Sequence, residues 1–241
     1  HSAHQIHKNI PKAIKVLATF VTKNGCKLVK FERRERTNSI PSGATALVLS
    51  DKELKSECEN LSVKKLGTGD EILENGEKIL ALINSFSQGV RAYNCELGIP
   101  QDSVNLSLAK IKDDGTLEVE FFARSMSKDG LNRMEFEISE LAKAVGFSVI
   151  SKDRNPAWKP INDKFANDIL EELNIYKPNA RITAVHAGLE CGVLLEKKVG
   201  LSACSIGPNI YSPHSTREHC EVASALFIEK VVRGIVKKYN S

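Results

Sequence analysis

His-Ala-Gly-Leu-Glu-Cys-Gly at 186–192, followed by Ser-Ile-Gly-Pro-Asn-Ile-Tyr-Ser-Pro-His-Ser-Thr-Arg-Glu-His-Cys at 205–220, is the stretch around which this chain is organised. It gathers histidine, glutamate and cysteine beside glycines and prolines, a mixture that a purely structural segment rarely needs. The residues 181–185 before the glycine-rich loop and 201–206 after it read as strands. Helices are predicted over 162–175 and 217–238. Loops held between regular elements are where chemistry is usually placed. The rhythm here is α/β, but two strands are too few for a self-contained core. The last ninety or so residues therefore read as part of a larger sheet.

Upstream, Ser-Lys-Asp-Arg-Asn-Pro-Ala-Trp-Lys-Pro (151–160) breaks the pattern with two prolines and several polar residues, and marks the domain boundary. Before it the elements change character. Residues 8–22 carry Ile10, Ile14, Leu17, Ala18 and Val21 at helical spacing, with Pro11 suited to the first turn. Cys26 to Glu32 and Ala44 to Leu49 read as strands. The stretch from Asp51 to Asn60 reads as a short polar helix, and Asp70 as the N-cap of a helix over 71–86. Strands follow at 90–96, 103–111 and 117–124, with Lys112-Asp-Asp-Gly115 as the turn joining the last two. Ser127 or Asp129 opens an amphipathic helix to about 145, which Gly146 ends. Residues 8–60 and 71–145 thus each read helix, strand, strand, helix. That predicts an α+β domain over 1–150 with a mostly antiparallel sheet, followed by an α/β part over 151–241.

Composition excludes several classes. The 241 residues are 41% hydrophobic and 27% charged, an ordinary globular balance. The net charge is only +4, and clusters such as Lys-Phe-Glu-Arg-Arg-Glu-Arg (30–36) mix both signs, as solvated faces do. Aromatics are too few for a base-stacking surface, so no nucleic-acid partner is expected. No apolar run approaches the roughly 20 residues of a membrane helix. The six cysteines show no framework spacing, which points to a reduced, cytoplasmic protein. The chain begins at His1 without a methionine, so the observed start is not expected to be the natural one. His1, His4 and His7 leave two options open, a metal clip or an irregular entry into the first helix.

The combined pattern His-Ala-Gly-Leu-Glu-Cys-Gly and Ser-Ile-Gly-Pro-x(4)-Pro-His-Ser-x-x-Glu (205–218) resembles the aminoacyl-histidine dipeptidases. These are co-catalytic zinc peptidases whose α/β catalytic domain is interrupted by a lid domain. Other segments share the likeness. His-Ser-x-x-x-Ile-His (1–7) resembles the lid's entry, although His4 stands where that family usually has glycine. Arg-Thr-Asn-Ser-Ile-Pro (36–41) resembles Arg-Asn-Ala-Ile-Pro. Asn105 with Ser-Leu-Ala (107–109), and Ala-Arg-Ser (123–125), resemble its paired lid strands. Asn-Pro-Ala-Trp-Lys-Pro (155–160) is similar to its return into the catalytic domain.

The resemblance implies a lid over 1–150 and the C-terminal segment of the catalytic domain over 151–241, with the N-terminal half of the family's length missing. The missing half normally supplies most metal ligands and the general base. In the complete enzyme two zinc ions and a metal-activated water would hydrolyse Xaa-His (carnosine-like) and other dipeptides. His214 matches the C-terminal zinc ligand, and Glu218 would orient it or cap the following helix. His1 matches the lid histidine that stabilises the developing oxyanion. Arg124 would grip the substrate carboxylate, because a guanidinium pairs bidentately with it. Asn38 would contact substrate from a turn. Glu190 would line the pocket, with Gly188 and Gly192 allowing close backbone approach. Cys191 has no dedicated base and is a poor nucleophile. The chain alone is expected to bind zinc weakly, at a single site at most, and to be inactive. Its expected partners are a dipeptide and the missing catalytic half; the sequence leaves a homodimer open. The alternative is a non-catalytic module that reuses the lid fold to bind peptides or a partner chain.

Overall fold

A computed structural model of the chain describes residues 6–8, 10–32, 40–56, 58–112, 116–213 and 216–241. The chain divides into two compact units, His1–Asp153 and Arg154–Ser241.

The first unit is an antiparallel sheet packed against helices. Its elements are α1 (Ala13–Lys23), β1 (Lys27–Glu32), β2 (Thr45–Leu49), α2 (Gly76–Ser85), β3 (Gly89–Asn94), β4 (Ile99–Ile111), β5 (Leu117–Ser125) and α3 (Lys128–Ala144). The long β4 is the hub. On one edge β5 follows it from Ile111↔Leu117 to Asp102↔Ser125. On the other, β3 pairs its N-terminal end and β1 meets it at Glu32↔Lys110, with β2 outside β1.

Period-2 alternation places Val104 and Leu106 of β4 on one face and Ser103 and Asn105 on the other, with both faces buried. Val104 and Leu106 of β4 point into a core with Leu28 and Phe31 of β1, Ile14 and Val21 of α1, Ile79 and Ile83 of α2, and Met134 of α3. Each large side chain removed from water there stabilises the fold by about 1.5–3 kcal/mol. Ser127 caps α3, its Oγ accepting from Gly130 N at 3.0 Å, and Gly146, with φ of 88°, ends the chain's helical run as expected.

Several expectations are corrected here. Residues 51–60 form no helix among those described. The Ser50 hydroxyl bonds the backbone of Lys52, a local turn that competes with helix formation. The pattern helix, strand, strand, helix is therefore absent from the first repeat. Asp70 caps nothing: Leu73 N donates to Leu28 O at 2.8 Å, pinning the chain to β1 before α2 starts at Gly76. Gly76 is small for a reason, since a Cβ would lie 3.1 Å from that of Leu28. Pro11 precedes α1 rather than opening it, as Lys12 is the N-cap. The turn at 113–115 lies outside the described residues.

The second unit contains α4 (Lys164–Tyr176), α5 (Glu190–Lys197), a small hairpin of β6 (Ile210–Tyr211) and β7 (His219–Cys220), and α6 (Val222–Asn240). Asp163 caps α4 by accepting from Ala166 N at 2.9 Å. Helices α4 and α6 pack through Ala166, Ile169, Val231 and Ile235. Asp168 ties them together, accepting from Lys164, Lys238 and Tyr239. The strands expected at 181–185 and 201–206 are not strands. A β-strand exists only where a neighbour takes its backbone groups, and no described segment of this unit does so for them. The final helix begins at Val222, not 217.

Candidate functional site

Arg124 is the penultimate residue of β5, opposite Ser103 of β4. Phe122, two residues earlier, shares its sheet face, and the guanidinium carbon lies 4.6 Å from that ring's centroid. Arg124 Nε is buried and has no hydrogen-bond partner among the described residues. Burial alone pushes the guanidinium below its ordinary pKa. A buried donor left unmet costs about 1–3 kcal/mol, more when charged. On the same face of β4 lie Ser103 and Asn105, both buried, and Asn105 Oδ1 accepts from Gln88 Nε2 at 2.8 Å.

The end of β5 is fastened from the opposite face. Asp102 is fully buried and is paired with Ser125 in the last step of the β4–β5 ladder. Ser125 Oγ donates to Asp102 Oδ1 at 2.6 Å and accepts from Ser127 N at 2.9 Å. Arg133 of α3 donates to Asp102 Oδ2 at 2.6 Å. A Cβ at Gly130 would collide with Ser125 Oγ and the Asp102 carboxylate, which explains the glycine at the start of α3. Sequence inspection passed over Asp102, although the signal was present. It shares the parity of Val104 and Leu106, and a carboxylate in phase with a buried row needs partners.

In the second unit, the expected loop 186–192 is only half a loop. Leu189 is extended and Glu190 begins α5, with its side chain exposed. Gly188 is exposed just before it. Gly192 faces protein: a Cβ there would lie 3.0 Å from Trp158 Cβ. Its smallness thus serves helix packing rather than close approach to a ligand. Trp158 Nε1, like Arg124 Nε, is buried without a hydrogen-bond partner among the described residues. His186 is buried and has an interaction partner. Burial first, then nearby Cys191 and Asp163, push the Cys204 thiol up, which keeps it protonated and unreactive.

Glu218 does not open a helix. It lies between the turn at 216–217 and β7, and α6 starts after Glu221. A role as that helix's cap is therefore withdrawn. Unforeseen was the Tyr211–His219 pair, directly opposite in the β6–β7 register and stacked with centroids 5.1 Å apart at 20°. His219 Nδ1 lies 2.8 Å from Arg217 O. A carbonyl only accepts, so Nδ1 carries a proton and donates it.

His1, Asn38 and His214 lie outside the described residues. Among the described residues no three of His, Cys, Asp and Glu group closely enough to hold a metal ion. No chemical step is therefore assigned to a metal.

Across an alignment of 254 positions that covers 93% of this chain, it is 24% identical to the cytosol non-specific dipeptidase of Escherichia coli (strain K12), of which it covers 52%. Its fold is similar to that of aminoacylhistidine dipeptidase from Vibrio alginolyticus, with a TM-score of 0.76 at 22% identity, over 98% of this chain and 55% of that one. No family profile matches the chain. It spans about half the length of these relatives. The resemblance to aminoacyl-histidine dipeptidases drawn from its motifs thus holds in sequence and in fold, and the expected mixture of an antiparallel sheet with helices is the one found.

Proposed function

We propose that the chain is the lid and the C-terminal catalytic segment of a dipeptide hydrolase, with 1–150 as lid and 151–241 as the remainder. Arg124 carries the proposal: a half-buried guanidinium with an unmet donor, on a fold like that of dipeptidases, suits a peptide's terminal carboxylate. The substrate class is Xaa-His and other dipeptides. Zinc is the metal by resemblance, with His214 as one donor. Most of the remaining donors and the general base would come from the half of the relatives' length that this chain does not span. His1, Asn38, Glu190 and Gly188 would complete the substrate contacts, and Glu218 would orient His214. A cytoplasmic site of action is proposed with it. No described helix is long and apolar enough to cross a membrane.

The second unit supports a larger assembly. Its buried apolar residues among those described are only Ala166, Ile169, Val231 and Ile235, whereas Val199 is 99% exposed and Val222 69%. Large apolar surface left in water marks a face that another segment covers.

The test is the gene sequence upstream of His1, followed by an assay. The expected upstream sequence encodes His-x-Asp and Glu-Glu segments. The longer product is expected to release histidine from alanyl-histidine with zinc present, while the 241-residue chain alone does not. In the longer product Arg124→Ala is expected mainly to raise KM, and His214→Ala to remove metal and turnover together. Tight binding of two zinc ions by the 241-residue chain would contradict the assignment, and so would unchanged metal content in His214→Ala.

A second possibility is a non-catalytic module that binds peptides through the same arginine. An upstream start codon just before His1, with dipeptide binding that depends on Arg124 but no turnover, would select it.

A further inference from the structure

We propose that Asp102 is a positioning residue for Arg124, holding the end of β5 so that the guanidinium stays over Phe122 with Nε directed at an incoming carboxylate. The proposal rests on the carboxylate-binding role of Arg124 given above. It adds a residue on the opposite face of the sheet that touches no substrate.

Arg124 sits one step from the end of the β4–β5 ladder, where strands fray. A half-buried cation whose Nε has no hydrogen-bond partner among the described residues gains by swinging into water, and fraying would let it. Three bonds oppose this. Asp102 accepts from Ser125, the next residue after Arg124, and from Arg133 of α3. Ser125 in turn receives Ser127 N, so the strand end is joined to the cap of α3. Asp102 is 0% exposed, whereas the Arg133 side chain is 58% exposed. The buried charge is therefore compensated by one half-exposed cation and one serine, an arrangement that core packing alone would not need. A simpler apolar residue would fill position 102 on the Val104–Leu106 face. The carboxylate is explained by what it fastens. Rigid support from behind is what a binding side chain requires to stay in its productive rotamer.

The test uses the 241-residue chain with 15N-labelled arginine, the Arg124 Nε–Hε signal being identified by its loss in Arg124→Lys. Asp102→Ala is expected to speed exchange of that proton about tenfold beyond any acceleration of core amides such as Leu106 N–H. It is also expected to weaken binding of alanyl-histidine about tenfold. Asp102→Asn, whose amide oxygen still accepts from Ser125, should recover most of both. Ser125→Ala leaves the Asp102–Arg133 pair in place and should repeat the effect of Asp102→Ala, which keeps the test open if Asp102→Ala does not fold. Equal acceleration at Arg124 and the core amides, or an unchanged Arg124 signal in Ser125→Ala, overturns the proposal. If the wild-type chain shows the expected exchange pattern but binds no alanyl-histidine, the hold of Asp102 on Arg124 stands and the carboxylate role of Arg124 falls.

Discussion

At the scale of single residues, the chain keeps groups that cost it stability. Arg124 places a charged donor where no described group receives it. Replacing it by methionine, which fills similar space without a charge, is expected to stabilise the chain by about 1 kcal/mol in urea unfolding, while abolishing dipeptide binding. A loss of stability with retained binding would show that Arg124 is a structural cation. His219 offers a different check. Its hydrogen bond to Arg217 O fixes the Nδ1–H tautomer. Nitrogen chemical shifts of the ring should show the proton on Nδ1, and His219→Phe should keep the Tyr211 stack but lose that bond. An Nε2–H tautomer would remove the reason given for the ring's orientation.

At the scale of elements, two glycines in helices predict opposite outcomes. Gly192→Ala drives a Cβ to 3.0 Å from Trp158 Cβ, which cannot retreat without moving its backbone. About 1–3 kcal/mol of destabilisation is expected from such overpacking. Gly234→Ala in α6 meets only the end of the Glu172 side chain, which can swing away. Alanine gains up to about 1 kcal/mol of helix propensity there, so the melting temperature should rise.

The clasp between α4 and α6 gives a pH dependence with a worked sign. Hydrogen bonds from Lys164, Lys238 and Tyr239 hold the Asp168 carboxyl well below the usual carboxylate range. Its contribution is therefore complete above the unfolded value near 4 and is lost as pH falls through the lower folded value. Lys238 and Tyr239 are raised, chiefly by Asp168, so their contribution is complete below the unfolded values of about 10 and is lost as pH rises through the folded ones. Protection of the α4 and α6 amides, corrected for the intrinsic pH dependence of exchange, should be highest between these limits. In Asp168→Asn the acid limb should flatten, and an unaltered acid limb would discount the clasp.

At the scale of the whole molecule, the two units differ in how they are held. The first has a continuous core from Ile14 to Met134, and the second has four buried apolar residues among those described. Unfolding in urea should therefore depart from a single two-state transition, with the second unit's helices lost first. Leu106→Ala should cost about 2–5 kcal/mol and shift only the later transition. One coincident transition by fluorescence of Trp158, in the second unit, and by exchange of Leu106, in the first, would contradict this.

The sequence by itself determined the antiparallel first unit, because alternation in Val104, Leu106 and their strand partners and helical spacing in Ile14, Ala18 and Val21 are local patterns with one burial solution. It also determined the likeness to dipeptidases, because the stretch 186–220 combines rare residues at fixed spacing. It placed Arg124 on a strand end but could not show its unmet donor, since that depends on neighbours far along the chain. Only the tertiary structure decided that Asp102 is partnered by Ser125 and Arg133, that Gly192 is small for Trp158, and that Glu190 begins a helix. The apolar runs at 181–185 and 201–206 mark the limit of local pattern. Alternation can propose a strand, but only a second backbone, supplying donors and acceptors from elsewhere, can make it one.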